Sequence, residues 1–192
     1  MEKKKGQRHQ VLKNLETCDL ELRKWRRQAM YCEEAQLIIQ SVAQQTQEQL
    51  KYHISELVTL ALASVFDDPY EFEVEFVQRR GRTECDLWFV RDGVRIDPMS
   101  ASGGGAVDVA AFALQVSLWS LGRPRTRNTM ILDEPLKWLK GDDLPEKGAA
   151  MIKEISDRIG LQIIMVSHIP DQIESSDKVI NVRLKQGKSI VQ

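Results

Sequence analysis

From Val11 to Leu60 the chain runs fifty residues without a proline or a glycine. Through that run a 4,3 alternation selects Val11, Leu15, Cys18, Leu22, Trp25, Ala29, Cys32, Gln36, Ile39, Ala43, Thr46, Leu50, His53, Leu57 and Leu60. About seven heptads in one register predict a long helix with a coiled-coil seam, weakened where Gln36, Thr46 and His53 fall on it. At about 1.5 Å per residue the seam extends roughly 75 Å. A helix of that length cannot bury its own stripe. It needs a partner helix, and no second heptad segment occurs in the chain.

Behind this helix, 192 residues leave room for one sizeable domain. The net charge is −1, yet residues 1–27 hold nine Lys or Arg against four acidic residues. A basic start of this kind suits either a nucleic-acid contact or a solvated helix face. Cys18, Cys32 and Cys85 lack CxxC or zinc-like spacing, which fits a reducing cytoplasmic setting. The longest apolar run recognised, "LVTLALASVF", ends at Asp67 and Asp68 and falls short of a membrane span. The opening "MEKKKGQRHQ" has no apolar core of a secretion signal.

After "FDDPY" the period falls from seven to two. In "EFEVEFV", Phe72, Val74 and Phe76 share one face and Glu71, Glu73 and Glu75 the other, the pattern of a half-exposed strand. "QRRGR" reads as its turn, "TECDLWFV" as a second strand, and Asp92-Gly93 as a hairpin turn into a short third strand. Next come "SASGGG" and an apolar segment. There Val107, Ala110, Ala111, Leu114, Leu118 and Leu121 recur at helical spacing, so Gly103, Gly104 and Gly105 are expected to form the loop that feeds a helix. A basic loop "GRPRTR", a buried strand "TMILDEP", a helix over 144–159 and a second buried strand "LQIIMVSH" follow. Strand, helix, strand with continuous apolar strands predicts a parallel sheet covered on both faces. "DKVINVRL" and "SIVQ" close the chain as two strands around Gln186-Gly187.

Three stretches carry chemistry. A helix start offers unpaired N–H groups and the positive end of a dipole, so Ser102 beside Gly103 and Gly104 suits an anion such as phosphate; a linker to a core helix is the plainer reading. A buried strand ending in Asp133 and Glu134 delivers two carboxylates to the C-terminal edge of a parallel sheet. The first can hold the shell of a Mg²⁺ ion and the second can orient an attacking water; a solvated acidic turn is the alternative. His168 ends the second strand, either as a surface histidine or as a donor to a phosphate oxygen or to the water held by Glu134.

In order and spacing, these elements resemble the C-terminal half of the ABC-type ATPases that include the SMC, SbcC, RecN and RecF proteins, over nearly the whole chain and most closely over 98–182. The resemblance implies an α/β fold. Its expected form is the C-terminal lobe of an ABC-type ATPase, with a mainly parallel sheet flanked by helices, a small antiparallel meander and a long N-terminal coiled-coil helix. Residues 1–66 would be the returning arm and 67–192 the lobe. It implies ATP and Mg²⁺ as ligands. Ser102, Gly103 and Gly104 would cap the γ-phosphate of ATP on a partner, Asp133 would assist the metal, Glu134 would activate water, and His168 would sense the γ-phosphate.

Implied partners are an N-terminal Walker A lobe with its coiled-coil arm, a second copy joined through an ATP sandwich, DNA, and a nuclease of SbcD type, with no membrane. The signature departs from the family in Ala101 and Gly105, and "LKWLK" puts Lys140 where a D-loop Asp is usual. No GxxxxGK[ST] occurs, so the phosphate cradle belongs to another segment or another polypeptide. Two other readings share these loops: a transporter nucleotide-binding subunit, which normally has no such heptad helix before the signature, and a structural lobe that dimerises without turnover.

Overall fold

The structure, a computed structural model, describes residues 2–101, 103–124 and 127–191. Ser102, two residues of the "GRPRTR" loop (Arg125 and Thr126) and Gln192 at the end of "SIVQ" lie outside the described residues.

The heptad run is helical throughout. It lies within α1, Glu2–Val65. Contacts divide the chain into two compact units, the first ending at Gln49 and the second being Leu50–Gln192. In the first unit the seam positions Val11, Leu15, Leu22, Trp25 and Ile39 are all exposed, as are Leu37, Ile38 and Val42 beside them. The apolar stripe has no cover within its own unit.

In the second unit the end of α1 turns a different face inward. Ile54, Val58, Leu62 and Val65 are buried, whereas the seam residues His53, Leu57 and Leu60 are exposed. The core stripe lies one residue later than the heptad stripe. Against it packs the meander β1 (Glu71–Arg79), β2 (Arg82–Arg91) and β3 (Val94–Ile96), antiparallel in that order. Phe72, Val74 and Phe89 are buried, and the alternation of "EFEVEFV" survives as Phe72 and Val74 inward. Edge strand β1 is tied to the helix by side chains. The Phe72 N–H donates to Thr59 Oγ1 at 2.8 Å and the Val74 N–H to Ser55 Oγ at 3.2 Å. Both hairpin turns have two residues at positive φ, Arg80-Gly81 at 52° and 74° and Asp92-Gly93 at 52° and 76°, the twist that suits adjacent antiparallel strands.

A short α2 (Pro98–Ala101) leads to α3, Gly104–Leu121. The expected glycine loop is therefore shorter: Gly103 is the cap residue, and Gly104 and Gly105 lie in the first turn. The buried face also differs, being Ala106, Val109, Ala110, Phe112, Ala113, Val116 and Ser117, while Ala111 and Leu118 are exposed. An almost uniformly apolar helix does not declare its inner face by periodicity, so packing chose it. By length and composition α3 could also cross a membrane, contrary to the expectation that no run is long enough. Its buried side chains belong to the core of this unit, the ordinary reason for such a helix.

Strand β4 (Thr129–Asp133), helix α4 (Leu144–Ile159) and strand β5 (Gln162–Val166) form the expected parallel unit, with Asp133 opposite Val166. Gly160 ends α4 in the left-handed region at φ 63°. The short α5 (Pro170–Glu174) and the antiparallel hairpin β6 (Val182–Lys185) with β7 (Lys188–Val191) follow, the hairpin turning at Gln186-Gly187. Among the described residues, parallel pairing is confined to β4 and β5. The expectation of cover on both faces fails: Met130 and Leu132 point into the core, but Ile131, Ile164 and Val166 on the other face are 75%, 49% and 64% exposed.

Candidate functional site

The alternation of β4 and β5 buries Met130 and Leu132 and carries the chain outward at residues 133–134 and 167–168. Asp133 is the last residue of β4 and is exposed. Glu134 then leaves the strand at φ 45°, a conformation uncommon for a residue with a β-carbon. It is held there from both sides: its N–H donates to Val166 O at 2.8 Å, and Leu136, itself at φ 59°, is buried in the core.

The two strand ends meet in side chains as well as backbone. His168 Nδ1 lies 3.3 Å from Glu134 Oε1, and Lys137 Nζ lies 3.8 Å from Glu134 Oε2. The carboxylate therefore has one oxygen toward an imidazole and the other toward an ammonium, with solvent access to all three groups. Beneath them sits Gln172, 1% exposed, which bridges the two strand exits. Its Nε2 donates to Pro135 O at 2.8 Å and its Oε1 accepts from the Ser167 hydroxyl at 2.5 Å. Nothing in the sequence pattern singled out Gln172. A glutamine in a short acidic helix reads as surface, and its burial depends on where residues 135 and 167 come to rest.

Of the six site residues expected from sequence, Glu134 and His168 are brought into contact, and Asp133 adjoins them through the backbone. Among the described residues no group of three or more His, Cys, Asp and Glu could enclose a metal ion. Asp133 thus offers a single exposed carboxylate. That fits Mg²⁺, which is held through one or two carboxylates together with phosphate oxygens and water.

Gly104 meets a different part of the chain, Gly103 faces open space, and Ser102 lies outside the described residues. A β-carbon on Gly104 would sit 3.1 Å from Trp138 Cβ, and one on Gly105 would sit 3.1 Å from Leu139 Cδ1 and 3.3 Å from both Leu139 Cα and Trp138 O. Two of the three glycines are therefore explained within the chain: they let the start of α3 lie against residues 138–139. Gly103 alone has open space around it, with no side-chain cap on the helix it begins. The Asp108 carboxylate then accepts from the Trp138 N–H at 2.9 Å, which pins the same segment one turn further along α3.

In "LKWLK", Leu136 and Leu139 are buried while Lys137, Trp138 and Lys140 face outward, Trp138 being 56% exposed. Gly148 on α4 completes the seat, since a β-carbon there would lie 2.6 Å from Leu139 Cδ2. A cleft of about 310 Å³ opens between the glycine turn and this segment, with Tyr70, Arg91 and Lys140 on its walls. Arg91 is stacked 3.8 Å over the Tyr70 ring and donates to Asp68 O at 2.6 Å.

No family model matches the chain. It is 31% identical over 146 residues to the DNA double-strand break repair Rad50 ATPase of Pyrococcus abyssi, covering 76% of this chain and 16% of that protein. To the Rad50 ATPase of Thermoplasma volcanium it is 28% identical over 109 residues, 56% of this chain and 12% of that protein. The chain thus aligns with less than one fifth of the length of either relative. Among solved structures it is similar to the Smc head domain with a coiled coil and joint from Pyrococcus yayanosii, with a TM-score of 0.60 and 20% identity over 80% of this chain and 28% of that one. The SMC head domain from Thermotoga maritima gives a TM-score of 0.52 and 20% identity over 73% of this chain and 46% of that one. An Smc head bound to the C-winged helix domain of ScpA gives 0.59 and 19% identity over 74% of this chain and 42% of that one. The chain belongs to the SMC/Rad50-like family of ABC-type ATPases.

Proposed function

We propose that the chain is the C-terminal lobe of a DNA repair or recombination ATPase. Residues 1–66 form its returning arm and residues 67–192 its share of the ATP site. A Walker A lobe supplied by another segment or polypeptide completes the fold. Two such assemblies close around ATP, with DNA and a nuclease as further partners. The observation that carries this reading is the contact of Glu134 with His168, 3.3 Å apart at the C-terminal edge of a parallel strand pair. The bare outer face at Ile131, Ile164 and Val166 supports the missing lobe, because apolar strand residues of this kind are normally covered in α/β folds.

The residues divide the work by position. Asp133 would contribute a carboxylate to the shell of a Mg²⁺ ion, which when bound would neutralise charge on the phosphates. Glu134 orients the attacking water and accepts a hydrogen bond from it through a carboxylate oxygen. His168, with Nδ1 toward Glu134, keeps Nε2 for a phosphate oxygen or that water. Ser102, Gly103 and Gly104 act on the partner's nucleotide. Of the two glycines, Gly103 has the open surroundings that such an approach requires.

In the complete two-lobed ATPase, Glu134→Gln is expected to lower hydrolysis by roughly 10²–10⁴-fold, the usual span for losing a positioned base, while ATP-driven dimerisation persists. Steady-state turnover together with sedimentation in ATP measures both. Turnover near wild type overturns the reading. A second reading, a lobe that dimerises without hydrolysis, is favoured by Lys140, which stands where a D-loop Asp is usual, and by Ala101 and Gly105 in the signature. It requires that the wild-type assembly itself show no magnesium-dependent turnover.

A further inference from the structure

Gln172 is the most completely buried polar side chain among the described residues, and both ends of its amide are used. The donor end reaches Pro135 O at 2.8 Å, one residue beyond Glu134. The acceptor end takes the Ser167 hydroxyl, one residue before His168. Ser167 Oγ in turn accepts from the Ile169 N–H at 3.1 Å, so the bend that carries His168 is tied on both sides. A buried amide with both functions satisfied holds its geometry firmly, because losing either bond leaves a polar group unpaired away from water.

We infer that Gln172 is a positioning residue for hydrolysis, acting as a strut that fixes the spacing between Glu134 and His168. The inference rests on the reading of those two residues given above. It accounts for a feature which that reading leaves unexplained. Glu134 is half-buried and its backbone is tied to Val166 O, but its carboxylate meets only the exposed groups of Lys137 and His168, so the side chain is held less firmly than the backbone beneath it. The neighbouring bonds of the strut limit where residues 134 and 168 can move. Small misplacements of reacting groups are costly to rate and need not affect nucleotide affinity.

The test uses the complete two-lobed ATPase with Gln172→Met, which keeps length and volume but removes both hydrogen bonds. The expected result is a fall in kcat on the order of tenfold to a hundredfold, with KM for ATP and ATP-driven dimerisation close to wild type. In a Glu134→Gln background the same substitution should add little, since a strut has nothing left to position. Ser167→Thr, which retains the hydroxyl, should keep most of the turnover that Ser167→Ala loses, and this pair carries the test if Gln172→Met fails to fold. A wild-type kcat for Gln172→Met, or equal turnover by the two Ser167 variants, overturns the inference while Glu134→Gln remains slow. A loss confined to KM overturns it too. If Glu134→Gln is itself as fast as wild type, the underlying site assignment fails instead.

Discussion

A β-carbon at Gly148 would lie 2.6 Å from Leu139 Cδ2 and 3.0 Å from Leu136 Cδ1, both on side chains enclosed in the core. Two opposing effects meet there. Alanine improves helix propensity by about 1 kcal/mol, whereas overpacking a filled site costs about 1–3 kcal/mol. Because both leucines are buried, the overpacking term wins. Gly148→Ala is expected to destabilise the second unit by about 1–2 kcal/mol. Gly103→Ala, with φ −60° and no atom nearby, should leave folding within about 0.5 kcal/mol of wild type. Urea unfolding of the two variants measures the contrast. Equal stabilities would show that residues 136–139 are not seated as described.

Helix α1 carries two apolar stripes one residue apart, and each has a separate use. Ile54, Val58, Leu62 and Val65 enter the core, while Leu57 and Leu60 continue the heptad seam on the open side. The single-residue offset rotates the faces by about 100°, enough for one helix to serve a globular core and a second helix together. Leu62→Ala should therefore cost about 2–5 kcal/mol, as for other fully buried leucines. Leu60→Ala, at a position 59% exposed, should cost less than about 0.5 kcal/mol in the chain alone. In the complete protein Leu60→Ala should weaken pairing with the outgoing arm. Chemical denaturation of the chain, beside thermal melting of the paired arms, separates the two stripes.

At the scale of the molecule, the second unit carries an uncovered apolar sheet face. Ile131, Ile164 and Val166 lie on adjacent strands, and such a contiguous patch drives association when its proper cover is missing. The isolated chain is expected to self-associate with rising concentration, and Ile131→Glu to increase the monomer fraction. In the two-lobed protein the same substitution should destabilise, since it would place a charge beneath the added lobe. Sedimentation velocity on the chain and thermal unfolding of the complete protein provide the readings. A wild-type chain that stays monomeric, together with a two-lobed Ile131→Glu variant of unchanged stability, would remove the case that this face is covered.

What the sequence determined is what short-range physics can specify. A fifty-residue run without glycine or proline makes a helix, period-two alternation makes β1, and residue-Gly pairs make tight turns. Apolar strands that lead to Asp133-Glu134 and Ser167-His168 make a parallel pair that brings those residues to one edge. The tertiary structure decided whatever depends on which surfaces meet. It selected the inner face of α3, which a uniformly apolar helix leaves open. It used Gly104 and Gly105 to admit Trp138 and Leu139. It brought Gln172 beneath the two strand ends, so that a polar side chain from a surface-like segment became buried once Pro135 O and Ser167 Oγ supplied its partners. Close approach and polar satisfaction are properties of pairs of residues distant in sequence, and only the packed chain fixes those pairs.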